Sequence, residues 1–114
     1  MAQFEELTID QGSDVAIELH LVNVDGSAKD LTNHTVTAKL KRTYNSDEST
    51  TFQHVVPVPS EGILTLELTN TQTDLLKAGR HVYDVELSFV DSDGNTIIER
   101  VLEGNVQVTP SVTR

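Results

Sequence analysis

Apolar and polar residues alternate with a period of two along most of the chain, the spacing of strands with one face buried and one in water. From Asp14 to Val22, Val15, Ile17, Leu19 and Leu21 share one face, and Asp14, Glu18 and His20 the other. From Thr35 to Lys41, Val36, Ala38 and Leu40 alternate with Thr37, Lys39 and Lys41. Leu64, Leu66 and Leu68 alternate with Thr65 and Glu67, and Tyr83, Val85, Leu87 and Phe89 alternate with Asp84, Glu86 and Ser88. The last run, Ile98 to Val108, places Ile98, Arg100, Leu102, Gly104, Val106 and Val108 on one face. Arg100 breaks its apolar character, and Gly104 marks a bulge or a close backbone approach. Leu7–Ile9 and Thr51–Val56 are shorter candidates.

About seven strands, each with one polar face, predict antiparallel sheets wet on one side. Two such sheets bury their apolar faces against each other, so the expected fold is an all-β sandwich. Asp25-Gly26 and Asp93-Gly94 supply the positive φ of tight turns. Asn45–Thr50 reads as a polar loop. Pro57 and Pro59 cannot donate to a ladder, which makes Val56–Pro59 an edge or a crossing between sheets. One short helical turn is expected near 71–77, capped by Thr71 with Asp74 at its third position and ended by Gly79. Met1–Glu5 and Ser111–Arg114 are the expected frayed ends.

Composition supports the strands: Val, Ile and Thr make up 33 of 114 residues, and their branched side chains favour the pleated backbone. The length predicts one domain, residues 1–114. A formal charge of −10 argues against a nucleic-acid backbone or an anionic membrane surface as partner. With no cysteine, disulfides, thiolate metal sites and Cys nucleophiles are all excluded. No apolar run reaches the ~18 residues of a spanning helix, and no basic-then-apolar leader opens the sequence.

Candidate chemistry is sparse. Asp91-Ser92-Asp93-Gly94-Asn95 has some character of a calcium loop, but its Gly comes two residues too early and its flanks are strands, so a hairpin turn is expected. Asn45-Ser46-Asp47-Glu48 reads as a solvated loop. His20, His34, His54 and His81 lack ligand spacing; His20 and His81 sit on expected strands and could meet in space, but they are read as a chance pair of half-exposed histidines. There is no G-x-S-x-G elbow and no Gly-rich phosphate loop. Lys39, Lys41 and Arg42 form the one basic cluster, read as guarding an exposed sheet face or edge, with docking of an acidic partner as the alternative. Tyr83, on a core face, needs a partner for its hydroxyl, as in the tyrosine corner of immunoglobulin domains, although the surrounding spacing differs from that pattern. Asn33-His34-Thr35 matches a glycosylation sequon, set aside for want of a leader. No catalytic, cofactor-binding or metal-ligating residue is assigned, and no cofactor is expected.

Four ordered stretches carry a resemblance. They are Ile9–Asp14 with its Gln11-Gly12, Asp25–Thr35 with Asp25-Gly26 and Asp30-Leu31-Thr32, Leu75–Leu87 with Gly79-Arg80-His81-Val82-Tyr83-Asp84-Val85-Glu86-Leu87, and Leu102–Arg114 with Gly104-Asn105-Val106-Gln107-Val108. In this order they resemble the small immunoglobulin-like structural proteins of tailed bacteriophages, of the virion or baseplate type, including those of T4-like cyanophages. Asn33 stands where that family often has Gly, and Lys77-Ala78 where it has two prolines. The resemblance implies an immunoglobulin-like sandwich without enzymatic activity. It implies a virion protein of the tail, baseplate or capsid surface, made in the host cytoplasm and working through contacts with other virion proteins and with itself. The long strand from Ile97 to Thr109 is the expected neighbourhood of a contact between copies. The alternative class is a ligand-binding sandwich, such as a carbohydrate-binding or adhesin module, for which Phe4, Tyr44 and Phe52 are the available platform aromatics.

Overall fold

The structure is a computed structural model that describes residues 3–23 and 25–112. Among the described residues, nine strands form two sheets: β1 (Gln3–Phe4), β2 (Leu7–Asp10), β3 (Val15–His20), β4 (Thr35–Lys41), β5 (Thr50–Thr51), β6 (Gln53–Val55), β7 (Ile63–Leu68), β8 (Gly79–Val90) and β9 (Thr96–Thr109). The larger sheet runs β1-β9-β8-β4-β5, with β2 following β1 along the same side of β9, and the smaller runs β3-β7-β6. Their facing rows meet as the alternation requires. Leu19, Leu64, Leu66 and Leu68 of the smaller sheet pack in one core with Val36, Leu40, Val85, Leu87, Leu102 and Val106 of the larger. The radius of gyration is 14.9 Å, above the ~13 Å of a compact chain of this length, because the body is drawn out to 51 Å along one axis.

Three details of the strands depart from the sequence reading. First, β1 and β2 pair with β9 in parallel, Gln3 beside Leu102 and Leu7 beside Val106, so the larger sheet is mixed. Alternation reports which face a strand buries and carries no information on its direction. Second, Thr51–Val56 is not one strand. Its first residue ends β5 on the larger sheet and Gln53–Val55 forms β6 on the smaller one, with the chain crossing at buried Phe52. The crossing therefore lies upstream of the prolines, and Pro59 instead opens a 3-10 turn, Pro59–Glu61. Third, the face expected from Ile98 to Val108 is broken. Val85 lies opposite Leu102 but Glu86 lies opposite Arg100, so Val101 is an extra residue in the ladder. Val101 and Leu102 are both buried, and the residues before them exchange faces. Arg100 thereby reaches the outer face, 3.3 Å from Asp84 and 3.5 Å from Glu103, rather than the core.

The expected helical turn forms as α1, Asn70–Asp74, but its cap is Thr69 rather than Thr71. Gln72 N–H donates to Thr69 Oγ1 (3.3 Å) and Thr69 N–H donates to Gln72 Oε1 (2.9 Å), a reciprocal box two residues upstream of the expected one. Buried Thr73 fastens the turn to the body by donating to the Ser13 carbonyl at 2.8 Å. Gly79 does not end α1, which closes at Leu75; it opens β8 with φ 118°, its backbone against the Arg42 guanidinium. Asn33 has φ 63°, so the position that the resembled family fills with Gly is left-handed here and is held by a residue type that tolerates it. Of the expected frayed ends, Gln3 and Phe4 form β1, whereas Met1, Ala2, Thr113 and Arg114 lie outside the described residues.

Candidate functional site

Three places in the fold combine special geometry with polar or exposed groups. The first is where the N-terminal segment crosses the middle of β9. Gly104 lies opposite Tyr83. A Cβ on Gly104 would collide with the Glu5 carbonyl and lie 3.2 Å from the Tyr83 ring. The bare backbone lets the β1–β2 link settle against β9, where Glu5 N–H donates to the Glu103 carbonyl at 3.0 Å. The Tyr83 hydroxyl donates to the Glu5 carbonyl at 2.8 Å. Burial, with the Glu5 charge adding to it, holds the phenol well above its usual ionisation range. Tyr83 therefore has the hydroxyl partner its position demands. That partner is the N-terminal link, on the strand pair β1–β2, and Gly104 is the close approach expected there rather than the bulge.

The second place is the end of the sandwich where β4 stops and β8 begins. A shallow open cleft is lined there by Arg42, Asp47, Glu48, Leu75, Lys77 and His81. His81 is only 4% exposed. Its Nε2 lies 2.8 Å from the Lys77 carbonyl, which places the ring proton on that nitrogen and leaves buried Nδ1 without a partner. Arg42 donates to the Ala78 carbonyl at 3.3 Å, and Lys41 lines the same cleft. The basic cluster is thus divided: Lys39 is exposed on the outer face, opposite Asp84 and Thr51, while Arg42 braces the loop before β8.

The third place is the far end of the β8–β9 hairpin. Thr96–Arg100 pair with β8 on one side, and β1 reaches β9 only at Leu102. Among the described residues no strand covers their other side, and all five are exposed. Most of the long strand expected to carry a contact, Val101–Thr109, has strands on its flanks, so an open edge survives only over these five residues.

The histidines do not converge. His20 sits on β3 beside Glu18 (3.1 Å), His34 stacks on Phe89 with ring centroids 4.8 Å apart, and His54 is exposed on β6. Among the described residues no three of His, Asp or Glu are grouped as metal ligands. Asp91 closes its hairpin by accepting from the N–H groups of Asp93 (3.0 Å) and Asn95 (2.9 Å). Asp25 and Asp30 do likewise for Ser27 and Thr32. In each the neighbouring hydroxyl, then the backbone N–H, holds the carboxyl below its ordinary value. Of the platform aromatics, Phe52 is buried in the core, while Phe4 (66% exposed) is on β1 at one edge of the larger sheet and Tyr44 (71%) is in the loop that joins β4 to β5, the strand at the other edge. They do not build one stacking surface.

No family model matches the chain. No curated protein matches it. Solved structures do. The N-terminal domain of phage TP901-1 ORF48 superposes with a TM-score of 0.65 at 15% identity, over 92% of this chain and 85% of that one. Murine CRIg superposes with a TM-score of 0.51 at 16% identity, over 94% and 92%. The fold is an immunoglobulin-like β-sandwich, and it is one that a phage protein also uses.

Proposed function

We propose that this chain is a non-enzymatic structural module of a tailed-phage virion, at the tail, baseplate or capsid surface, acting through contacts with other virion proteins and with further copies of itself. The observation that carries the reading is the overlap of nearly the whole chain with a phage domain of the same fold. The ordered motifs from Ile9 to Arg114 support it, and the T4-like cyanophage kinship rests on those motifs alone. The described residues bring no nucleophile, base and oxyanion donors together, which favours a binding role. The separation of Phe4 from Tyr44 speaks against the carbohydrate-binding alternative. Mass spectrometry of purified particles made by the genome that encodes the chain tests the reading. The protein is expected at a fixed copy number per particle, and its absence from finished particles despite expression would overturn it.

A further inference from the structure

We infer that two copies of the chain pair through the open edge of β9, antiparallel, with Ile98 opposite Ile98. This deepens the virion reading and rests on its premise that the chain works by contact with other copies. An edge strand offers unpaired N–H and C=O groups that only another strand satisfies fully. Among the described residues the other long open edges each keep one face in the core. On β2, Leu7–Asp10, which pairs with β9 alone, Leu7 and Ile9 are buried and Thr8 and Asp10 face water. On β3, Val15–His20, the apolar Val15 and Ile17 turn partly into the core, leaving Glu18 and His20 on the solvent face. The β9 edge is different. Ile98 is 64% exposed and Ile97 38%, and Val90 across the hairpin is exposed as well. Apolar side chains on both faces of an open strand suit an added strand rather than water.

The register follows from the boundaries of the edge. On one side the Asp91–Asn95 turn bends the chain back to β8, with Asp91 N–H donating to the Asn95 carbonyl at 2.9 Å. On the other side β1 covers β9 from Leu102. The open stretch is therefore Thr96–Arg100, and its centre is Ile98. Two copies related by a two-fold axis through Ile98 pair the whole stretch: Ile98 on Ile98, Ile97 on Glu99, and Thr96 on Arg100. No like charges stand directly opposite. A two-fold axis one residue further along would oppose Glu99 to Glu99, which disfavours it. In the Ile98 register the two Glu99 are diagonal neighbours, and each has its own Lys29 at 3.0 Å. The cross-strand row Thr35–Ser88–Ile98 then continues into its mate, joining two larger sheets into one. This partner is a second copy because the edge is complementary to itself in length, side-chain pairing and charge.

The chain has no cysteine, so single introduced cysteines report the register directly. Directly opposed residues of antiparallel strands have Cα atoms about 4.5–5.5 Å apart, within disulfide range. Ile98→Cys is expected to give a covalent dimer on mild oxidation. Thr96→Cys alone is not, since the two copies of that residue would be about 14 Å apart along the strands. An equimolar mixture of Thr96→Cys and Arg100→Cys is expected to cross-link between variants. In sedimentation, the unmodified chain is expected to dimerise reversibly and more tightly as salt screens its like charges. Ile98→Lys is expected to weaken the dimer at least tenfold while melting like the parent. A chain that stays monomeric at millimolar concentration with no Ile98→Cys dimer would overturn the inference. So would a dimer that Ile98→Lys leaves intact, or one that Ala16→Cys on β3 captures instead. Presence in particles together with any of those three results would keep the virion reading and remove this one.

Discussion

β9 contains two segments of similar apolar content and opposite fate. From Val101 to Val108 its apolar side chains are buried beneath β3 and β7 of the smaller sheet, in the common core. From Thr96 to Arg100 every residue is exposed, although two of the five are isoleucine. Val101 separates them. Its extra residue reverses the faces, so Arg100 leaves the core side and forms ion pairs with Asp84 and Glu103. Burial in this sandwich is decided by how far the opposing sheet extends, and strand composition alone does not set it. The first segment holds the fold together; the second is left uncovered.

The largest expected effect separates the two segments by stability. Leu87, which no solvent reaches, lies on the core face of β8 opposite Glu99 and packs in the same core as the buried half of β9. Leu87→Ala is expected to cost about 2–5 kcal/mol in urea melts. Ile98→Ala is expected to stay within about 0.5 kcal/mol, as is Glu67→Ala on the outer face of β7. Equal losses would erase the distinction between the halves. Next in size is the junction at the middle of β9. Tyr83→Phe leaves the Glu5 carbonyl without its 2.8 Å donor and is expected to cost about 1–3 kcal/mol. Gly104→Ala is expected to cost more and to raise amide exchange in β1 and β2 ahead of β8, because the backbone of Glu5 must move.

Smaller effects test the turns. Asp30 accepts from Thr32 Oγ1 at 2.6 Å and from Thr32 N–H at 2.9 Å. Its carboxyl is expected to titrate below the ordinary ~3.9 by NMR, and Thr32→Val should move the midpoint upward. Because the folded value is depressed, this turn adds stability above the unfolded pKa, and loses it as pH falls through the folded one. The smallest expected effect is none: melting temperatures in excess EDTA and in millimolar calcium should coincide, and a calcium-dependent rise would give Asp91 and Asp93 a ligand role.

Much of the sandwich was legible in the alternation. β4 was expected at the bounds it has, and Leu66 and Leu87 were placed in the core where they lie. What stayed hidden depends on contacts distant in sequence. The parallel pairing of β2 with β9 joins residues about a hundred apart, and no local pattern encodes it. The sheet change at Phe52 looks like continuous strand because its neighbours on both sides are extended. The bulge left one trace, an arginine on an apolar face, and an arginine there is better explained by a register step than by a buried charge. The open β9 edge was legible only as a long apolar strand; which five residues are uncovered follows from where β1 begins. The Thr69 cap was readable in principle, since Thr69 and Gln72 have capping-box spacing just before α1.

The parallel course of β1, β2 and β9 has a mechanical consequence. Gln3 lies beside Leu102 and Asp10 beside Thr109, so the first two strands run alongside β9 from its middle to its last residue, about 23 Å at ~3.3 Å per residue. A load that pulls the first strand and the last strand outward in opposite directions acts along their shared ladder. The hydrogen bonds between them would have to give way together rather than peel one at a time. Loaded in that direction, such a sandwich is a link whose resistance to stretching is set by the shared ladder and not by its overall free energy of folding.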